Sequence, residues 1–100
     1  MQHHVYFWLK EEFKNEAGRA KFEQGMQLCV EVKSVKDGGW GKQAATADRG
    51  VTDKSWDYAL CCTFDSVDDH NAYQVDPQHD VFVDTCKDMW EKVTIMDVEF

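Results

Sequence analysis

The chain has 100 residues, which is one domain's worth of sequence, so we expect a single domain over residues 1–100. Nineteen acidic residues against eleven basic ones give a formal net charge of -8. A nucleic-acid-binding protein normally needs an excess of Lys and Arg to displace counterions from phosphates. Nucleic acids and anionic membranes are therefore not expected partners.

Four cysteines, at positions 29, 61, 62 and 86, have none of the spacings of a disulfide framework or of a paired-cysteine zinc site. Disulfides are rare in the cytosol, so we predict four reduced and mostly buried thiols in a cytoplasmic protein. The first residues lack a basic stretch followed by a long apolar run, and no apolar run reaches membrane-spanning length. This agrees with a cytoplasmic location.

The first half of the chain predicts two strands around a helix. Residues 5–9 are continuously apolar, which is typical of a strand covered on both faces. Apolar residues then recur at intervals of three and four, which predicts an amphipathic helix over residues 12–30. Residues 32–36 alternate like a strand, and glycine-rich residues 38–42 indicate its bulged or closely approached end. Residues 43–54 show no periodicity and predict a surface loop.

The second half repeats this order. Residues 56–64 predict a strand, and Ser66 begins a capping box for a short helix that ends at Tyr73. An Asp-Pro pair then starts a helix over residues 76–92, and residues 93–98 predict a last strand. The order is βαββαβ, which predicts an α+β, ferredoxin-like subunit with a four-stranded antiparallel sheet.

The first strand raises a question about the second face of this sheet. Tyr6 and Trp8 point away from the side that carries Val5, Phe7 and Leu9, so helices on one side leave these two aromatic residues uncovered. A monomer rarely exposes such a patch, and a homodimer that pairs sheet against sheet would cover it.

His79 and Tyr73 are the candidate catalytic residues. His79 is about the third residue of its helix, where the helix terminus favours a neutral imidazole that can accept a proton. Tyr73 precedes it by six residues, and the two side chains in one pocket would form an acid/base pair. The alternative is a histidine and a tyrosine that belong to the core, with their polar atoms hydrogen-bonded there.

No metal site is expected. His3 and His4 point to opposite faces of a strand, and His70 beside Asp68 and Asp69 fits a solvated helix surface.

Several segments resemble a known family. Residues 71–83 are similar to the AY-x3-P-x-H-x2-FV signature of the stress-responsive dimeric α/β-barrel (Dabb) domain. The Phe-Asp-Ser step at residues 64–66, the apolar run from His3 to Lys10 and the Trp-Gly-Lys sequence at residues 40–42 also match the family pattern.

This resemblance implies a ferredoxin-like subunit that pairs through its sheet into a dimeric α/β barrel. The family includes stress-induced plant proteins without an assigned reaction and a polyketide cyclase that needs no cofactor. In the cyclase, a Tyr and a His matched by Tyr73 and His79 act on the substrate, and a histidine matched by His3 lines the pocket. Tyr58 stands where the cyclase has another pocket histidine. Tyr58 and Phe82 complete the expected substrate-binding set.

Two classes of function follow. The first is a cofactor-independent enzyme or binder of a small, apolar, carbonyl-bearing molecule, in which His79 is the base and Tyr73 holds or protonates the oxygen. The second is a non-catalytic stress-response or structural dimer. A cofactor-free monooxygenase, as in a related group of the same barrel superfamily, is a weaker alternative.

Overall fold

Alternating burial along the first strand establishes the two faces of the sheet. In the computed structural model, which describes residues 1–100, strand β1 (Gln2–Leu9) buries His3, Val5, Phe7 and Leu9. The side chains between them lie half-buried on the opposite face. The helices cover the first of these faces, and we call the second one the open face.

The remaining elements complete the predicted α+β, ferredoxin-like order. They are a 3-10 turn (Glu11–Phe13), α1 (Glu16–Val30), β2 (Asp37–Gly41), β3 (Tyr58–Thr63), α2 (Val67–Gln74), α3 (Pro77–Cys86) and β4 (Trp90–Val98). The strands lie in the order β2-β3-β1-β4, and every neighbouring pair is antiparallel. The sequence therefore predicts the topology correctly, whereas several boundaries differ.

The first helix begins later than residue 12. Asn15 is its N-cap, because the Asn15 side chain accepts a hydrogen bond from the Gly18 amide at 2.8 Å. Phe13, which the apolar spacing assigns to the helix, lies in the preceding 3-10 turn instead. A Cβ atom at Gly18 would come within 2.2 Å of the Phe13 carbonyl oxygen, so this turn requires glycine there.

Two other boundaries were predicted wrongly. Residues 32–36 form turns rather than a strand, and their alternation arises because Val32 is buried in the core. The last helix ends at Cys86 rather than at residue 92, and the Met89 amide closes it by donating to the Cys86 carbonyl at 2.9 Å. Trp90, predicted on the helix, therefore begins β4.

The core depends on a close approach between α1 and α3. Phe7, Phe22 and Phe82 form a cluster of edge-to-face aromatic contacts with centroids 5.1 to 5.9 Å apart. Gly25 allows this packing, because a Cβ atom there would lie 2.7 Å from the Phe82 ring and 2.8 Å from the Cys86 sulfur. Gly25 has a low helix propensity and weakens α1, but its lack of a side chain allows α3 to pack closely against α1.

The open face is partly covered by the chain itself. The Trp56 ring lies 5.4 Å from that of Tyr6, Trp8 donates a hydrogen bond to the Ser55 hydroxyl at 3.0 Å, and the Lys92 ammonium sits 4.4 Å from the Trp8 ring centroid. The prediction that Tyr6 and Trp8 have no intramolecular cover was therefore wrong. None of the helices has the length and apolar character needed to cross a membrane.

We expect Gly25→Ala to destabilise the protein by about 1–2 kcal/mol, because a Cβ atom this close to Phe82 and Cys86 costs about 2–3 kcal/mol, the upper part of the usual overpacking range, and the better helix propensity of alanine offsets about 1 kcal/mol. Chemical denaturation measures this difference. Gly39→Ala is the matched control, since a Cβ at that exposed strand position meets nothing within 4 Å and its φ is not positive. Equal stability of both variants would contradict a tight α1–α3 contact at Gly25.

Candidate functional site

A small cavity lies between the sheet and the C-terminal helices. Its volume is about 150 Å³. The lining is mostly apolar, with residues Val5, Phe7, Leu60, Tyr73, Phe82, Val83, Trp90, Val93 and Ile95, and its remaining members are His3, Gln74 and His79. An apolar chamber with a few polar groups in it is the usual form of a small-molecule site.

The two predicted catalytic residues meet in this cavity. The rings of Tyr73 and His79 are 4.8 Å apart at an interplanar angle of 71°. Asp76 caps α3 and Pro77 is its first residue, so His79 occupies the third helical position as the sequence predicts. The His79 Nδ1 atom is buried and has no hydrogen-bond partner. The expectation of a histidine whose nitrogens are satisfied in the core therefore does not describe this residue.

Burial determines the protonation of both groups. It lowers the pKa of His79 below the ordinary value of 6.5, although the nearby Asp80 carboxylate acts in the opposite direction. Burial also raises the pKa of Tyr73 well above its ordinary range, and the hydroxyl has the Cys29 thiol as its neighbour. A neutral imidazole and a protonated phenol are the resulting forms near neutral pH.

His3, on strand β1, also lies beside this pair. Its ring centroid lies 5.7 Å from that of Tyr73, and its Nδ1 atom lies 2.5 Å from the Asp97 carboxylate. Burial lowers the pKa of His3, while the hydrogen bond to Asp97 acts against this shift. Neutral His3 can donate its Nδ1 proton to Asp97, which orients the ring.

The sequence placed His70 on a solvated helix surface, but its side chain is only partly exposed. Its ring is half-buried and packs 4.7 Å from the His3 ring and 5.5 Å from the Phe64 ring. His3, His70 and Asp97 therefore form a cluster that the sequence did not predict. Asp97 lies directly opposite His3 on β4. Only the register of the β1–β4 pair would have predicted this contact.

The two further predicted substrate-binding residues have different positions. Phe82 lines the cavity. Tyr58 lies elsewhere in the core, where its hydroxyl donates to the Glu23 carboxylate at 2.6 Å. Burial, followed by this interaction, raises the pKa of Tyr58. The structure thus brings together four of the five predicted residues.

The cysteines offer no activated nucleophile. Cys29, Cys62 and Cys86 are buried and Cys61 is exposed, and none forms a disulfide. Burial raises the pKa of both Cys29 and Cys62 to about 12, so their thiols stay protonated.

Comparisons with known proteins agree on one family. The sequence profile of the Stress responsive A/B Barrel Domain (Dabb) matches residues 1–100. The chain belongs to the Dabb family. It is similar to olivetolic acid cyclase from Cannabis sativa, with 28% identity over 90 residues that cover 86% of each chain.

Solved structures share the Dabb fold at lower identity. The crystal structure of At3g17210 from Arabidopsis thaliana superposes with a TM-score of 0.78 at 18% identity, over 98% of this chain and 92% of the other. A dimeric ferredoxin-like protein of unknown function from Thermobifida fusca gives a TM-score of 0.74 at 19% identity, over 95% and 85% of the two chains. These likenesses establish the fold of this Dabb chain.

We expect His79 to titrate below 6.5 when its ring signals are followed by NMR, because burial opposes the charged form. The unfolded chain would then take up a proton near 6.5 while the folded chain does not. Between 6.5 and the lowered pKa, the free energy of unfolding should fall as the pH falls. A His79 pKa above 6.5 would contradict the dominance of burial and indicate a closer carboxylate.

Proposed function

We propose that this Dabb protein binds a small, apolar, carbonyl-bearing molecule in the cavity and moves a proton on it without a cofactor. The observation that supports this most directly is the His79 imidazole, which lines an apolar cavity and has a buried nitrogen without a protein partner. A buried polar atom without a hydrogen bond costs about 1–3 kcal/mol, so a ligand that accepts or donates there is favoured.

The cavity sets the size of the ligand. A volume of about 150 Å³ is comparable to that of an engineered apolar cavity that binds benzene. One aromatic or short branched group would fill it. Val93 and Ile95 line the cavity and are 39% and 54% exposed, so a longer molecule would extend past this edge of β4 into solvent.

The protonation states of His79 and Tyr73 indicate which residue acts as the base and which as the hydrogen-bond donor in a proton transfer. Neutral His79 takes a proton from the carbon next to the carbonyl; the electron pair of that C–H bond forms the C=C bond of an enolate, and the π pair of the carbonyl moves to its oxygen. Tyr73 then donates a hydrogen bond to this oxygen, exchanging the Cys29 thiol, which is a weak partner, for a stronger acceptor. The cycle closes when His79 returns the proton to the carbon; alternatively, the enolate carbon attacks a second carbonyl and His79 returns the proton to the alkoxide that this attack forms.

His3 supports this arrangement from the cavity wall. Its Asp97 partner orients the ring, so that a second neutral imidazole faces the same ligand. The similarity to olivetolic acid cyclase supports chemistry of the cyclase, isomerase or lyase type, since the Tyr and His of the family signature are both present.

We expect the protein to accelerate the exchange of the acetophenone methyl protons for deuterium in D₂O, which NMR measures directly. His79→Asn removes the base and should lower the exchange rate by about 10²- to 10⁴-fold. Tyr73→Phe removes the donor to the enolate oxygen and should lower the rate by about 10²- to 10³-fold. Both variants should still bind the ketone, because the apolar lining is unchanged.

Asp84→Asn is the control, since Asp84 is exposed on α3 and does not line the cavity. It should exchange protons at the rate of the unmodified chain. If the protein binds acetophenone but does not accelerate the exchange of its methyl protons, it binds the ligand without catalysing proton transfer. No binding, together with a loss of about 1–3 kcal/mol of stability in Tyr73→Phe and His79→Asn, would favour the structural dimer, because each change would then leave a buried partner unpaired.

We also propose that the chain forms a homodimer through its open face. Tyr6, Trp8 and Trp56 remain half-buried there, and the Met96 side chain is 57% exposed beside them. The dimeric description of the similar Thermobifida fusca protein supports this arrangement. Two such faces would enclose the aromatic residues in a shared barrel.

We expect sedimentation equilibrium to give twice the chain mass, and Met96→Glu to yield a monomer, because a charge buried between two sheets is costly. Val75→Glu replaces another exposed apolar residue, away from the open face at the end of α2, and should stay dimeric. A monomer at micromolar concentration for the unmodified chain would contradict the proposed dimer.

A further inference from the structure

Beside the cavity, three metal-ligating side chains converge from three separate elements. His3 and Asp97 face each other across the β1–β4 pair, and His70 reaches them from α2. One ligand atom of each residue lies within 4.8 Å of the other two. We propose that His3, His70 and Asp97 bind one divalent transition-metal ion of the Zn²⁺ class.

The donor set selects the type of ion. Two imidazole nitrogens and one carboxylate oxygen are the three protein ligands of many open zinc sites, whereas Mg²⁺ and Ca²⁺ prefer oxygen ligands alone. A tetrahedral ion about 2.1 Å from its ligands holds those atoms about 3.4 Å apart. The His3 Nδ1 and Asp97 Oδ1 atoms lie 2.5 Å apart, and one ligand atom of each residue lies within 4.8 Å of the other two, so the side chains must rotate to reach this geometry.

The surrounding residues hold the ligands in place. His3 is 2% exposed, and β-ladder pairing fixes its backbone against that of Asp97. The His70 ring packs against Phe64, and its two nitrogens have Asn71 and Gln74 as polar neighbours at 3.2 and 3.4 Å. One of these nitrogens would bind the ion and give up its neighbour, and the contact of the other nitrogen would then orient the ring.

The cluster also borders open space on its far side. A cleft of about 250 Å³ is lined by His70 and Asp97, and its other lining residues are Met1, Val67, Asn71, Val98 and Glu99. A fourth coordination position can therefore take water or a small anion from this cleft. The site does not depend on the proposed proton transfer, whose steps use no metal.

Isothermal titration of the untagged, chelator-treated chain with ZnCl₂ tests the proposal, and Co²⁺ serves as a visible probe of coordination. We expect one ion per chain and the intense visible absorption of four-coordinate Co²⁺. His70→Asn and Asp97→Asn should each weaken Zn²⁺ binding by about tenfold or more, because each removes a ligand. Both residues are partly exposed, so the variants should fold, which circular dichroism checks.

His4→Asn and Cys61→Ser are the matched controls, since they remove a histidine and the exposed thiol outside the cluster. Both should bind Zn²⁺ with unchanged affinity. Unchanged affinity in folded His70→Asn and Asp97→Asn would overturn the proposal, and so would a loss of binding in either control. The absence of saturable binding below about 100 µM, a free energy weaker than about 5.5 kcal/mol, would also overturn it.

Discussion

The close contact between α1 and α3 at Gly25 determines what the rest of the structure can do. Because residue 25 is a glycine, the Phe82 ring and the Cys86 sulfur of α3 pack directly against α1. On the helix side of β4, Val93 and Ile95 remain partly exposed. The cavity lies beside these residues, where the helices leave part of the sheet uncovered.

His3 lies between the cavity and the cluster that it forms with His70 and Asp97. Its side chain is buried, and it contacts Tyr73 on one side and Asp97 and His70 on the other. Burying an imidazole is costly unless it has partners, and His3 obtains them from β4 and α2. One residue of β1 thus belongs both to the proposed ligand cavity and to the proposed metal site.

Local patterns in the sequence were enough to predict the fold and part of the candidate site. The Asp76–Pro77 start of α3 fixes the helical position of His79, and alternation along β1 fixes which residues face the helices. Asp97 and His70 were missed because their importance depends on strand register and on how α2 packs, and neither leaves a local signal. Tyr58 was misplaced because its pairing with Glu23, 35 residues away, could not be foreseen.

The proposed ligand binding depends on the cavity and not on the fold alone. A crystal structure of the protein grown with benzaldehyde tests this most directly, since the aldehyde matches a volume of about 150 Å³. We expect the aromatic ring among the apolar lining residues and the carbonyl oxygen within hydrogen-bond distance of Tyr73 or His79. A cavity closed by the protein's own side chains, or benzaldehyde bound only on the open face, would contradict the claim.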